Sequence, residues 1–111
     1  MFPIIFNKSY NKNNRVYFIQ VEPPHGPIKI GVTNNVKKRL SSLQAANPYK
    51  LKVLYSCEGS YPHEKVLHKF FKKYKKRGEW FHPAEQILGA IKDKKIWDEK
   101  HAEDNQARVS W

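Results

Sequence analysis

A glutamate and a histidine four residues apart, Glu64 and His68, form the pair around which this sequence of 111 residues can build chemistry. Four residues is the spacing that stacks two side chains on one face of a helix, and the hydrophobic period predicts a helix over residues 62–77, closed by Gly78. A carboxylate beside an imidazole, next to dense positive charge, suits a metal ion acting on a phosphate. The alternative is a surface helix with an incidental Glu–His pair, and this segment alone favours the alternative.

The same helix is predicted to present one apolar and one basic face. Seven Lys or Arg residues and no acid occur from Lys65 to Arg77, and such a run repels itself unless a polyanion lies against it. Backbone attraction does not depend on base sequence, so we expect weak intrinsic specificity, or a protein partner that supplies it. The inward side chains are predicted to be Val66, Leu67, Phe70, Phe71 and Tyr74. The residues predicted to bind nucleic acid are Lys37, Lys38, Lys65, Lys69, Lys72, Lys73, Lys76 and Arg77.

Charge divides the chain into a basic body and a nearly neutral end. Up to Lys92 there are 17 Lys or Arg and 5 Asp or Glu, a balance of +12, and the remaining residues carry 4 and 5, a balance of −1. A basic body attracts polyanions, of which nucleic acid is the commonest inside cells. A membrane surface is a less favoured partner than nucleic acid. Each predicted helix needs its apolar face to pack in the core, so none has an apolar face left for insertion into lipid. We therefore expect a nucleic-acid partner; DNA is favoured over RNA, although the charge itself does not distinguish the two.

Composition predicts one soluble, intracellular domain. A chain of 111 residues can bury a core without disulfide bonds or a structural metal. The single cysteine, Cys57, excludes an internal disulfide and a zinc site built mainly from thiolates, and the histidines lack zinc-finger spacing. No segment is long and apolar enough to span a bilayer. A cytoplasmic or nucleoid location is expected, or a nuclear one in a eukaryote.

The elements that must position these side chains follow the order β-β-α-β-α-α. The predicted fold is α+β, a three-stranded antiparallel sheet packed with helices. A glycine, Gly31, interrupts the second strand, which suggests that backbone or ligand comes close there. Thr33 or Asn34 is predicted to cap the first helix, in which Arg39 lies at the edge of the buried stripe. Strands are predicted over residues 15–21, 28–32 and 51–57, helices over 35–46, 62–77 and 83–97, a turn over 22–27 and a short extended piece over 80–81. In the first strand Tyr17, Ile19 and Val21 are predicted to share one face and Val16 and Phe18 the other. An arm is predicted over 1–14, one domain over 15–97 and a polar tail over 98–111.

Five short motifs in this order resemble the GIY-YIG nuclease superfamily. RVY and KIG lie on the first two strands, with 11 residues between Tyr17 and Lys29. KKRLSSLQAANP then carries Arg39, HEKVLHKFF carries Glu64, and RGEWF follows. The run is most similar to the branch found in phage open reading frames and fungal meiotically up-regulated proteins. The resemblance covers about residues 15–91.

The resemblance implies an endonuclease that hydrolyses phosphodiester bonds with Mg²⁺ or another divalent cation such as Mn²⁺. It implies that Glu64 binds the metal, that Arg39 grips the scissile phosphate, and that Tyr17 orients or deprotonates the attacking water. His68 is a competing base because imidazole titrates near neutral pH, and the sequence leaves both open. Glu79, in RGEWF, is left with three roles: a cap, an ion pair with the nearby arginine, or an approach to the metal.

The chain departs from the family pattern at several positions. Arg15 and Val16 stand where the first motif has Gly-Ile, a change that a strand accepts. Lys29 replaces the second motif tyrosine; it either adds a positive contact to the phosphate or is an outward strand lysine. The late asparagine of some members has one candidate, Asn105, in the tail. The alternative functions are a non-catalytic nucleic-acid-binding module on the same scaffold and a purely structural basic protein.

Overall fold

The computed structural model describes residues 13–100, with side chains described as far as residue 95. Most of the predicted arm, most of the predicted tail and Asn105 lie outside these residues. Over this range no helix has the length and apolar content to cross a bilayer. The elements are β1 (Arg15–Val21), β2 (Ile28–Thr33), α1 (Val36–Ala45), β3 (Leu51–Glu58), α2 (Tyr61–Phe70), a 3-10 turn (Lys72–Tyr74), β4 (Lys75–Arg77), β5 (Trp80–Phe81) and α3 (Glu85–Lys100).

The fold is α+β, as predicted, but its sheet is wider than predicted. Over residues 13–100 the sheet has five antiparallel strands in the order β3-β1-β2-β5-β4. The three predicted strands are its first three members. The extended piece predicted at Trp80–Phe81 is β5, which pairs with β2, and β4 adds an outer edge. The predicted count of three strands is therefore wrong because the RGEWF segment folds back onto β2.

The predicted central helix is too long. It ends at Phe70, the 3-10 turn follows, and the residues from Lys75 to Arg77 form β4. Five of the six residues from 72 to 77 are cations, and repulsion between like charges one turn apart destabilises a helix. Phe70, predicted to face the core, is 75% exposed, whereas Phe71 is buried.

Two hydrophobic clusters lie on opposite faces of the sheet. The alternation predicted for β1 is confirmed, since Tyr17 and Ile19 lie in one cluster and Val16 and Phe18 in the other. The smaller cluster, around Tyr17, is covered by the apolar stripe of α1. The larger cluster includes Leu67 of α2 and further residues of α3. Tyr17 and α1 therefore share one side of the sheet.

Local hydrogen bonds fix the two segments that flank β2. The buried amide of Gln20 donates to the carbonyl oxygens of Pro24 and Gly26, at 3.0 and 2.9 Å, and so holds the predicted turn before β2. After β2 the helix cap is Asn35, whose side chain accepts a bond from the Lys38 amide at 3.0 Å. The predicted cap is therefore one or two residues early.

Candidate active site

The site is built around Gly31, which lies directly opposite Tyr17 in the β1–β2 ladder. Opposed residues of antiparallel strands point to the same face of the sheet. A Cβ atom at Gly31 would lie 2.4 Å from the Tyr17 hydroxyl oxygen and 2.6 Å from Cζ. The close approach predicted at this glycine is thus made by the phenol, which occupies the space that any side chain at residue 31 would need.

The phenol of Tyr17 has no exposed surface and meets a guanidinium. Nη1 of Arg39, a half-buried residue of α1, donates to the phenolic oxygen at 3.3 Å, and the guanidinium carbon lies 6.0 Å from the ring centroid. A guanidinium only donates hydrogen bonds. The oxygen of Tyr17 is therefore an acceptor in this contact, and positive charge lies where a phenolate would be stabilised.

Lys29 and Glu79 form an ion pair beside the same glycine. The ammonium of Lys29 lies 2.6 Å from Oε1 of Glu79, and the two side chains are 14% and 38% exposed. Strand β5 places the acid there, because Trp80 pairs with Lys29 and the Ile30 amide donates to the Glu79 carbonyl at 3.0 Å. Lys29 therefore faces the site and is not an outward strand lysine.

Glu64 is a buried carboxylate with one unsatisfied oxygen. Its side chain is 10% exposed, and Oε2 has no hydrogen-bond partner among the described residues. Burial raises the pKa of Glu64, and repulsion from the Glu79 carboxylate raises it further, while His68 and Lys29 partly offset both effects. Most buried polar atoms in proteins have a partner, so the orphan oxygen is a feature that needs an explanation.

His68 lies next to Glu64, as the spacing predicts, but its ring nitrogen has a second contact. Nε2 is 3.8 Å from Oε1 of Glu64 and 3.0 Å from the carbonyl oxygen of Ile30. A carbonyl oxygen only accepts, so Nε2 carries the proton in this contact. The ring also packs edge-on against Phe81, with centroids 5.0 Å apart. His68 thus ties α2 to the backbone of β2.

The role of Glu79 is the part of the site that sequence reasoning left open. Its carboxylate pairs with Lys29, lies 3.0 Å from the position of a Cβ at Gly31, and is close enough to Glu64 to raise the pKa of that residue. No ion pair between Glu79 and Arg77 is found within the described residues. The position of Glu79 depends on the pairing of β5 with β2, and a two-residue strand leaves no periodic signal in the sequence.

A comparison with protein families matches most of the chain, including every residue of this site. The T5orf172 domain model matches residues 14–96. The chain belongs to the T5orf172 domain family. No curated protein and no solved structure matches the chain.

The basic residues of this T5orf172 domain are exposed but do not lie on one helix. Within residues 13–95 none of those predicted to bind nucleic acid forms an ion pair with an acid. Their charge is therefore available to a polyanion, and it is spread over four elements. The predicted cations are Lys37 and Lys38 on α1, Lys65 and Lys69 on α2, Lys72 and Lys73 in the 3-10 turn, and Lys76 and Arg77 on β4.

The oxygen donors of the T5orf172 site fit a hard divalent cation. Among the side chains that the structure describes, no three His, Cys, Asp or Glu residues form a ready-made metal cage. Magnesium does not require one, because it keeps several waters and takes one or two protein carboxylates together with substrate phosphate. The buried, unpartnered oxygen of Glu64, with a second carboxylate beside it, is the kind of donor such an ion needs.

Proposed function

We propose that this T5orf172 domain is an endonuclease that hydrolyses the phosphodiester bonds of DNA with Mg²⁺ or Mn²⁺. The observation that carries the proposal is that the phenol of Tyr17 and the carboxylate of Glu79 meet at Gly31. The Arg39 guanidinium binds that phenol, and the buried Glu64 carboxylate is close enough to Glu79 to be affected by its charge. The motif order resembling the GIY-YIG superfamily adds support, as does the frequent association of T5orf172 domains with nuclease-related proteins.

In this proposal, the residues that meet the phosphate are Glu64, Arg39 and Lys29. The carboxylate of Glu64 holds the cation, which when bound supplies Lewis acidity to the scissile phosphate and its departing 3′-oxygen. Arg39 has further guanidinium donors in a planar fork that matches two phosphate oxygens. Lys29 adds a second positive charge from the sheet, which offsets the loss of the second motif tyrosine.

Tyr17 is the residue we assign to the attacking water. The water oxygen forms the new bond to phosphorus, the bond from phosphorus to the 3′-oxygen breaks, and a proton passes from the water to the phenolic oxygen. The step uses the phenolate form of Tyr17, and the Arg39 hydrogen bond positions its oxygen. The proton on the departing oxygen comes from solvent. His68 is better suited to positioning, because its Nε2 proton is engaged by the Ile30 carbonyl.

The test is nicking of supercoiled plasmid by the full chain in Mg²⁺, with and without EDTA. We expect conversion to open circles, abolished by EDTA, and a rate at least ~100-fold lower for Glu64→Gln, which keeps the shape but removes the charge. Glu58→Gln is the matched control because Glu58 is an exposed acid at the end of β3. Equal nicking by wild type and Glu64→Gln would overturn the proposal.

A non-catalytic nucleic-acid-binding module is the second candidate. Two observations favour it: Tyr17 has no exposed surface, and Lys29 stands where the family motif has its second tyrosine. A gel-shift titration of the same plasmid distinguishes the candidates. Salt-sensitive binding by wild type and Glu64→Gln alike, without nicking by either, supports the module and contradicts the endonuclease.

A further inference from the structure

We propose that Glu79 is a second carboxylate ligand for the divalent cation, and that Lys29 releases Glu79 when the cation binds. The inference rests on the proposed function for its assumption that a divalent cation acts at this site. It assigns to the Lys29–Glu79 ion pair a role beyond stability, as the resting form of a metal site.

The first argument is the supply of oxygen atoms. Glu64 offers a buried oxygen that no described donor satisfies. Its carboxylate lies 3.8 Å from Nε2 of His68, which binds the Ile30 carbonyl, and the Ile30 amide donates to the backbone carbonyl of Glu79, so the two acids flank the same residue of β2. Two carboxylates held together repel each other, and the ammonium of Lys29 neutralises one of them. A doubly charged cation between Glu64 and Glu79 would neutralise both, so the carboxylates gain more from it than from one lysine.

The second argument is accessibility. Glu79 is the more exposed member of the ion pair, with 38% of its side chain exposed against 14% for Lys29, so the carboxylate has freedom to turn. Its Oε1 lies beside Gly31, next to the hydroxyl of Tyr17, which has no exposed surface. Water can reach the phenol only after a neighbouring side chain moves. In the proposed exchange, a shift of Glu79 toward Glu64 opens space beside the phenol.

The third argument is the fate of Lys29. Its ammonium lies 5.7 Å from the centroid of the Trp80 ring, a favourable distance for a cation over an aromatic face. Lys29 therefore keeps one favourable contact when Glu79 leaves it. The freed ammonium remains at the site and can meet the phosphate, so one rearrangement completes the metal site and exposes the second phosphate contact.

The experiment is calorimetric titration of the metal-free full chain with MnCl₂, in the absence of nucleic acid. We expect wild type and Glu58→Gln to bind alike, and Glu79→Gln and Glu64→Gln each to bind at least ~10-fold more weakly. Lys29→Met should bind Mn²⁺ several-fold more tightly, because lysine no longer competes for Glu79. Removal of a positive charge alone would also tighten binding, so Lys29→Met is repeated in the Glu79→Gln background, where an increase that depends on freeing Glu79 should disappear. Thermal unfolding by circular dichroism checks that each variant is folded.

The outcomes separate this inference from the endonuclease proposal. If Glu79→Gln binds Mn²⁺ like wild type while Glu64→Gln does not, Glu79 is not a ligand and the inference is wrong. If Lys29→Met is folded and binds Mn²⁺ no more tightly than wild type, the proposed release of Glu79 by Lys29 is wrong. If both carboxylates prove necessary for Mn²⁺ binding but the plasmid is not nicked, the inference stands and the endonuclease proposal fails. If wild type binds no Mn²⁺ at all, the inference is overturned whatever the nicking assay gives.

Discussion

At Gly31 in β2, the ring of Tyr17 occupies the space that a Cβ atom would need. Alanine there would put a methyl group 2.4 Å from the phenolic oxygen and 2.6 Å from Cζ, well inside van der Waals contact. The phenol is buried and cannot swing into solvent to make room. Tyr17 and Gly31 therefore depend on each other for packing. Any side chain at residue 31 would displace the phenol and distort the candidate site.

We predict that Gly31→Ala lowers the free energy of unfolding by about 1–3 kcal/mol, the usual cost of overpacking. Urea denaturation measures the change. Gly89→Ala is the matched control, because apart from its own helix no described atom lies within 4 Å of a Cβ at Gly89 in α3, and alanine favours a helix. The control should be neutral or up to ~1 kcal/mol more stable. A Gly31→Ala protein as stable as wild type would contradict the packing described here.

The raised pKa of Glu64 predicts a pH-dependent loss of stability in EDTA. The folded protein holds the Glu64 proton more tightly than the unfolded chain, whose value is near 4.5. The stability that the protonated Glu64 side chain gives the folded protein is fully present below that value. It is lost as pH rises through the pKa of Glu64 in the folded protein. Glu64→Gln has no such titration, so it should be more stable than wild type at pH 7, on the order of 1 kcal/mol, as expected of a functional site that carries strain.

Thermal unfolding of wild type and Glu64→Gln from pH 4 to pH 8 tests the predicted direction of this pH dependence. The difference in melting temperature between Glu64→Gln and wild type should grow with pH and level off above the folded pKa. A difference that shrinks as pH rises would mean that attraction to His68 and Lys29 outweighs burial and Glu79, which together raise the pKa.

At the scale of elements, the site exists because β5 is short. Its two residues pair with Ile28 and Lys29, and the preceding Glu79 accepts a bond from the Ile30 amide, but the Ile30 carbonyl is left for α2. The Ile30 carbonyl at that edge is taken by His68, which anchors the helix and places Glu64, four residues earlier, beside the sheet. A longer β5 would have paired this carbonyl and kept α2 away.

We predict that His68→Gln and His68→Ala differ. Glutamine can donate its amide proton to the Ile30 carbonyl, so the variant should keep most of its stability and nick plasmid within about tenfold of wild type. Alanine leaves the carbonyl without a donor and removes the packing on Phe81, with an expected cost of about 1–3 kcal/mol. If folded His68→Gln were as inactive as Glu64→Gln, His68 would be the general base.

The sequence predicts elements well where one face is buried. In β1 the alternation of Tyr17 and Phe18 between two cores follows directly from the period of two. The prediction from periodicity fails after Phe70. A run of exposed cations is compatible with a helix or a strand, and no capping residue in the sequence marks the end of the helix. Strand β4 is fully exposed and three residues long, so it exists through its pairing with β5 alone.

The same limit applies to the site. Tyr17, Arg39 and Glu64 each lie on an element with a clear period, and the contact of Arg39 with Tyr17 follows once β1 and α1 are ordered. Glu79 lies in the turn between two strands of two and three residues. A tertiary pairing determines its place, and such a pairing leaves no local signal in the sequence.

At the scale of the whole molecule, a net charge of +11 predicts strong and salt-sensitive binding to DNA. The cations of α2, the 3-10 turn and β4 are exposed and have no acidic partner among the described side chains. If they contact backbone phosphates, each releases counterions, and the logarithm of the binding constant falls with the logarithm of salt concentration by ~0.9 per contact.

We predict that Lys72→Gln with Lys73→Gln lowers this slope by about 2 on duplex DNA and weakens binding at least ~10-fold at low salt. Fluorescence anisotropy over a series of salt concentrations measures both quantities. Lys92→Gln with Lys95→Gln removes the same charge from exposed positions of α3 and should change the slope less. If the two double substitutions lowered the slope and the affinity equally, net charge would govern binding, and the cations at Lys72 and Lys73 would have no special role.

The placement of Tyr17 in the smaller core has an evolutionary consequence. Its ring packs between the sheet and α1, so the fold requires an aromatic ring there even if the chain cuts nothing. A related chain without catalysis could exchange this tyrosine for phenylalanine and keep the packing, losing only the hydrogen bond from Arg39, whereas a small residue would leave a cavity. If the proposed function holds, a ring at this position in related sequences reflects the scaffold, and the hydroxyl is expected where the chain still hydrolyses phosphodiester bonds.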